Sequence, residues 1–83
     1  MNREELIQSW KRTRGFLDAA TKLLPQSLEQ TDERLMNYRE FLGQNELELA
    51  LDELKNIGEV VSVPQQFWVE LDKAARNMGL IND

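Results

Sequence analysis

The chain contains no histidine and no cysteine. Without histidine it lacks the side chain that usually exchanges a proton near neutral pH. Without cysteine it has neither a disulfide nor a thiolate metal ligand. Glycine is scarce as well, and the four glycines lie far apart, so there is no glycine-rich phosphate loop. No apolar run approaches the roughly 20 residues needed to cross a membrane. The start, Met1-Asn2-Arg3-Glu4-Glu5, lacks the apolar stretch of a signal peptide. These absences set the expectations: not an enzyme, no cofactor, no membrane, and a cytoplasmic location.

Metal binding would have to use carboxylates alone. The pairs Glu29/Glu33 and Glu48/Asp52 have i,i+4 spacing, which places each pair on one side of a helix. A carboxylate metal site normally draws on several helices, with a Glu-x-x-His partner that this chain cannot supply. The pairs therefore read as solvated faces, and no metal is expected.

At 83 residues the chain is expected to form one domain, residues 1–83, with a modest core. Its net charge of −5 is unevenly spread. Residues 1–27 carry a balance of +2, residues 28–59 of −6 and residues 60–83 of −1. An acidic middle repels nucleic acid and anionic lipid and attracts basic partners.

Capping residues followed three positions later by Glu or Gln mark helix starts. The spacing occurs at Asn2…Glu5, Ser27…Gln30, Asn45…Glu48 and Ser62…Gln65. Pro25 cannot continue a helix, and Gly43, Gly58 and Gly79 suit the left-handed position just past a helix end. The implied helices span 3–24, 28–42, 46–57 and 63–78, and each carries an apolar stripe at helical spacing. The first stripe joins Leu6, Trp10, Leu17, Ala20 and Leu24. The second has Leu28, Leu35, Tyr38 and Leu42, and the third Leu47, Ala50, Leu51, Leu54 and Ile57. The fourth runs through Phe67, Trp68, Leu71, Ala74, Ala75 and Met78. Short connections favour antiparallel neighbours. The expected fold is all-α, a compact single-domain bundle of about four short helices.

The third helix is apolar on one side and acidic on the other. Its carboxylates are Glu46, Glu48, Asp52, Glu53 and, just beyond its end, Glu59. Glu46 and Glu48 have a structural reading in the first turn, where negative charge complements the helix dipole. Asp52 and Glu53 have none, and a partner surface is the alternative to plain solubility. Trp10 beside Lys11, Arg12 and Arg14 offers a nucleic-acid reading. Its place on the apolar stripe argues instead for burial in the core. Phe67 and Trp68 point about 100° apart, so one of them can remain accessible as a binding anchor.

The stretch Tyr38-Arg39-Glu40-Phe41-Leu42-Gly43-Gln44-Asn45-Glu46-Leu47-Glu48-Leu49-Ala50-Leu51-Asp52-Glu53-Leu54 resembles a pattern of small bacterial immunity proteins of the CdiI and MafI type. The tail Phe67-Trp68-Val69-Glu70-Leu71, with Ala74-Ala75 and Met78-Gly79-Leu80, is similar to their ending, so the likeness covers roughly residues 35–80. Two departures stand out. Leu47 and Glu48 occupy places where an aromatic and a small residue often follow the Asn-Glu pair, and the segment before the last helix is short. The resemblance implies a protein without chemistry of its own that binds one cognate toxin domain and blocks it. It also implies a toxin that is basic, a nuclease acting on RNA, held in a 1:1 complex. The expected partner-binding residues are Glu46, Glu48, Asp52, Glu53 and Glu59 for electrostatics, with Tyr38 or Trp68 as apolar anchor. The rival expectation is a helical adaptor that acts by self-association or by gripping a partner helix.

Overall fold

The computed structural model describes residues 2–28 and 32–80. They form four helices: α1 (Arg3–Thr21), α2 (Glu33–Gly43), α3 (Leu47–Val60) and α4 (Gln65–Asn77). The all-α architecture and the number of helices are those expected from the caps and stripes.

One of the four expected caps forms as read. The Asn2 side chain accepts from the Glu5 amide at 2.8 Å, with Glu4 and Glu5 in the positive first turn of α1. Helix α1 then ends at Thr21, earlier than expected. Its last turn tightens into i→i−3 bonds, Leu23 N to Ala20 O and Leu24 N to Thr21 O, ahead of Pro25. Helix α2 starts at Glu33 rather than near Leu28, because Asp32 is the cap and accepts from the Arg34 amide at 2.9 Å. Ser27 precedes it in a turn, and Gln30 lies outside the described residues.

The connection between α2 and α3 corrects two expectations together. Asn45 takes the left-handed conformation (φ 59°) expected of Gly43, which instead closes α2 in helical geometry. The Glu46 amide donates to the Phe41 carbonyl at 2.9 Å and the Asn45 amide to Leu42 at 3.1 Å, the paired bonds of a Schellman ending. An N-cap needs extended backbone angles. Asn45, committed to the left-handed region, cannot supply one, so α3 begins after Glu46 with no side-chain cap.

Helix α3 does not stop at Gly58 but continues to Val60. Gly58 is there for space. A Cβ at this position would lie 2.6 Å from Phe67 Cε1 and 2.8 Å from two Trp68 ring carbons. Helix α4 starts after Pro64, not at Ser62, and ends where expected. Gly79 (φ 76°) is left-handed, with Leu80 N bonded to Ala75 O and Gly79 N to Arg76 O.

The core is one contiguous cluster, and α3 is its centre. Leu47, Ala50, Leu51, Leu54 and Ile57 are all buried, and α3 touches each of the other three helices. Helix α1 packs chiefly against α4 and α2 against α3. At the end of α4, Asn77 meets Ser9 and Thr13, and the buried residues of α1 continue from Thr13 towards Ala20. The two helices therefore run in opposite senses. Helix α1 has 19 residues and α4 has 13. At ~1.5 Å per residue, α1 overhangs by about 9 Å at its N-terminal end.

Candidate protein-binding surface

The overhang overturns one expectation. Leu6 and Trp10 continue the stripe of Leu17 and Ala20, yet they are 39% and 38% exposed, because α4 ends before it can cover them. Trp10 is therefore no core residue. It lies in a groove of about 350 Å³ whose walls include Leu6, Leu47, Glu48, Met78 and Leu80.

The five expected carboxylates separate once α3 is wound at ~100° per residue. Glu48, Asp52, Lys55 and Glu59 follow i, i+4, i+7, i+11 spacing and fall within an arc of about 60° on the side away from the core. All four are exposed. Glu53 lies about 100° further round, half-buried, in a row with Leu49, Asn56 and Val60. Glu46 lies before the helix, and its amide closes the turn from α2. The structure thus aligns Glu48, Asp52 and Glu59 and sets Glu46 and Glu53 apart.

Helix α4 handles its acids differently. Glu70 pairs with Lys73 at 3.2 Å and Asp72 with Arg76 at 2.8 Å, each within one turn. In α1, Asp18 pairs with Lys22 at 3.2 Å. Among the described residues no ion pair reaches a carboxylate of α3, and even Lys55, within the stripe, pairs with neither neighbour. Glu48, Asp52 and Glu59 therefore keep their charge unpaired and facing solvent. No three carboxylates among the described residues converge to hold a metal ion.

Trp68 lies at the other end of the stripe. Its ring meets Phe67 edge to face, with centroids 5.3 Å apart and planes at 89°. Phe67 is fully buried and Trp68 is half-buried. Trp68 lines a hollow of about 240 Å³ with Lys55, Leu71 and Asp72. The stripe thus runs from the Trp10 groove, which Glu48 lines, to the Trp68 hollow, which Lys55 lines. Eleven residues of helix separate Glu48 from Glu59, about 16 Å.

Tyr38 is not available as a surface anchor. It is 4% exposed and belongs to the core. Burial and the neighbouring Asp18 push its phenol up to about 12, against smaller opposing effects of Arg14 and Arg39.

Two polar contacts that hold this surface in place escaped sequence reading. Arg14 reaches across from α1 and donates to the Leu42 carbonyl at 2.8 Å, placing a cation at the negative end of α2. Asn77 Nδ2 donates to Ser9 O at 2.8 Å and to Thr13 Oγ1 at 2.7 Å, and Thr13 is 1% exposed. The available signal was polarity out of place: Thr13 sits on an apolar stripe, three residues after Trp10 and four before Leu17. Comparison with known proteins returned no matching family model, no similar curated protein and no similar solved structure.

Proposed function

We propose that this chain is an immunity-type inhibitor that binds a cognate bacterial toxin domain in the cytoplasm and blocks it. The observation that carries the proposal is the exposed, unpaired line of Glu48, Asp52 and Glu59 on α3. Residues 46–59 hold five carboxylates against one lysine. A nuclease domain grips phosphates through Lys and Arg, and a rigid helix presenting carboxylates can occupy those cations and exclude the substrate. Net negative charge also speeds encounter with a basic partner by electrostatic steering. Trp68 supplies a half-buried aromatic next to the stripe, as interface anchors commonly do.

The similarity over residues 35–80 to CdiI- and MafI-type proteins adds the toxin and its nuclease class to this reading. Its Asn45-Glu46 pair serves the backbone turn into α3, so the stripe carries the proposal and that pair does not. The complex is expected to be 1:1, with no direct contact to nucleic acid.

The test is co-expression with the C-terminal domain of a large protein encoded beside this chain. Growth rescue together with a co-purifying complex supports the inhibitor reading. Normal growth without this chain and no complex removes it. A self-associating adaptor, the second reading, draws on the exposed Leu6 and Trp10. It predicts a stable homodimer by solution mass, insensitive to salt.

A further inference from the structure

The groove at the overhang of α1 gathers exposed apolar side chains that the stripe does not explain. Leu6, Trp10 and Leu80 are 39%, 38% and 44% exposed and line it together. Single exposed apolar residues are ordinary, but three large ones in one concavity are not. Their exposure is not a fraying artefact of one helix end. Leu80 is held by the Schellman turn at Gly79, and the α1 side is fixed by Asn77 on Ser9 and Thr13. The groove is therefore preformed.

We infer that this groove takes an apolar side-chain row from the same basic partner, the row being flanked by lysine or arginine. The inference rests on the inhibitor reading and extends it from α3 to α1. Charge selects the occupant. Among the described residues Glu48 is the one charged side chain in the groove wall, and it is also the first exposed carboxylate of the stripe. A segment that fills the groove therefore leaves its next residues over Asp52, where cations are favoured. A second copy of this chain fits less well. Each copy carries −5, and the carboxylate of Glu48 in the groove wall would meet that same net negative charge. Trp10 is the expected anchor, because a partly exposed tryptophan in a fixed cleft loses little freedom on binding.

The test uses the full chain labelled with nitrogen-15 and a synthetic helical peptide as probe. The peptide carries leucine along one face and lysine elsewhere. The two tryptophans give two indole signals, one for the groove and one for the opposite end of the stripe. The peptide is expected to move the Trp10 indole and the Glu48 amide. Trp10→Ala, at a residue outside the core, is expected to weaken binding about tenfold or more. Replacing the peptide's leucines with serine is expected to do the same, and replacing its lysines with glutamate to abolish binding.

Shifts along α3 with the Trp10 indole unmoved would overturn the groove while leaving the stripe as a cation-binding face. Equal binding of the glutamate peptide would overturn the charge of the occupant. A Trp10 signal that moves with protein concentration alone, with a doubled mass, would assign the groove to a second copy. No shift at either site would remove both the groove and the stripe.

Discussion

Gly58 and Gly15 both lie inside helices, yet the same substitution at each is expected to change stability in opposite directions. Alanine in place of glycine in a helix interior gains roughly 1 kcal/mol from reduced backbone entropy and better solvent shielding. At Gly15 nothing lies within 4 Å of the added Cβ, so Gly15→Ala should keep that whole gain. At Gly58 the new carbon meets Phe67 Cε1 at 2.6 Å and Trp68 at 2.8 Å, where ordinary contact begins near 3.4 Å. Both neighbours are rigid rings, and Phe67 is fully buried, so neither yields by rotating a flexible tail. Overpacking of this kind costs about 1–3 kcal/mol. Subtracting the propensity gain leaves Gly58→Ala destabilised by about 1 kcal/mol, within a range of roughly 0–2. The propensity gain is common to both variants, so the gap between them reports the steric cost alone. In a domain of this size 1 kcal/mol moves Tm by about 4–8 °C. Thermal melts followed by circular dichroism, with urea midpoints as a check, should show Gly15→Ala rising and Gly58→Ala falling. A Gly58→Ala variant that gains as much as Gly15→Ala would refute the packing argument and return Gly58 to the role of a failed stop signal.

Three further outcomes follow from the same contacts. Tyr38 is the single tyrosine, so absorbance at 295 nm follows its ionisation alone. The native midpoint is expected near 12, against about 10 in denaturant. Because the folded value is raised, the stabilisation is fully present below pH 10 and is lost as pH climbs towards 12. A native midpoint at 10 would mean the ring is not buried. Asn77→Ala removes the donor shared by Ser9 O and Thr13 Oγ1 and should cost about 1–3 kcal/mol by urea denaturation, with no change meaning that the α1–α4 clamp is absent. Asn45→Gly should raise the urea midpoint and Asn45→Ala lower it, since the residue sits at φ 59°. Indifference to both would place the turn in another conformation.

The sequence revealed local signals more faithfully than it revealed which signal would prevail. All five stripe positions of α3, Leu47, Ala50, Leu51, Leu54 and Ile57, are buried, because a helix in the centre of a bundle meets neighbours along that arc. The stripe of α1 was equally regular, but periodicity shows which face is apolar and not how far the neighbouring helix extends. That is why Leu6 and Trp10 stay uncovered. Gly58 and Asn45 show the same limit. A glycine read as a helix end served close ring packing, and an asparagine read as a helix start served the preceding helix's end. Each residue type permits several conformations, and long-range contacts choose among them. The pairing of Glu48 with Asp52 was legible from spacing, whereas Glu59 joins their row only because α3 continues past Gly58. Their lack of cationic partners did not, since it depends on which helices lie beside α3.

The central claim is that the α3 stripe, rather than negative charge in general, recognises a basic partner. Association kinetics of two double charge reversals would test it directly, against the toxin domain recovered by co-expression and at low and physiological salt. Glu48→Lys with Asp52→Lys alters the stripe. Glu4→Lys with Glu5→Lys makes the same change in net charge on the first turn of α1. The stripe pair should slow association about tenfold or more and flatten its dependence on salt, while the α1 pair should change it little. Equal effects of the two pairs would contradict the claim and leave the acidity of this chain as a matter of solubility.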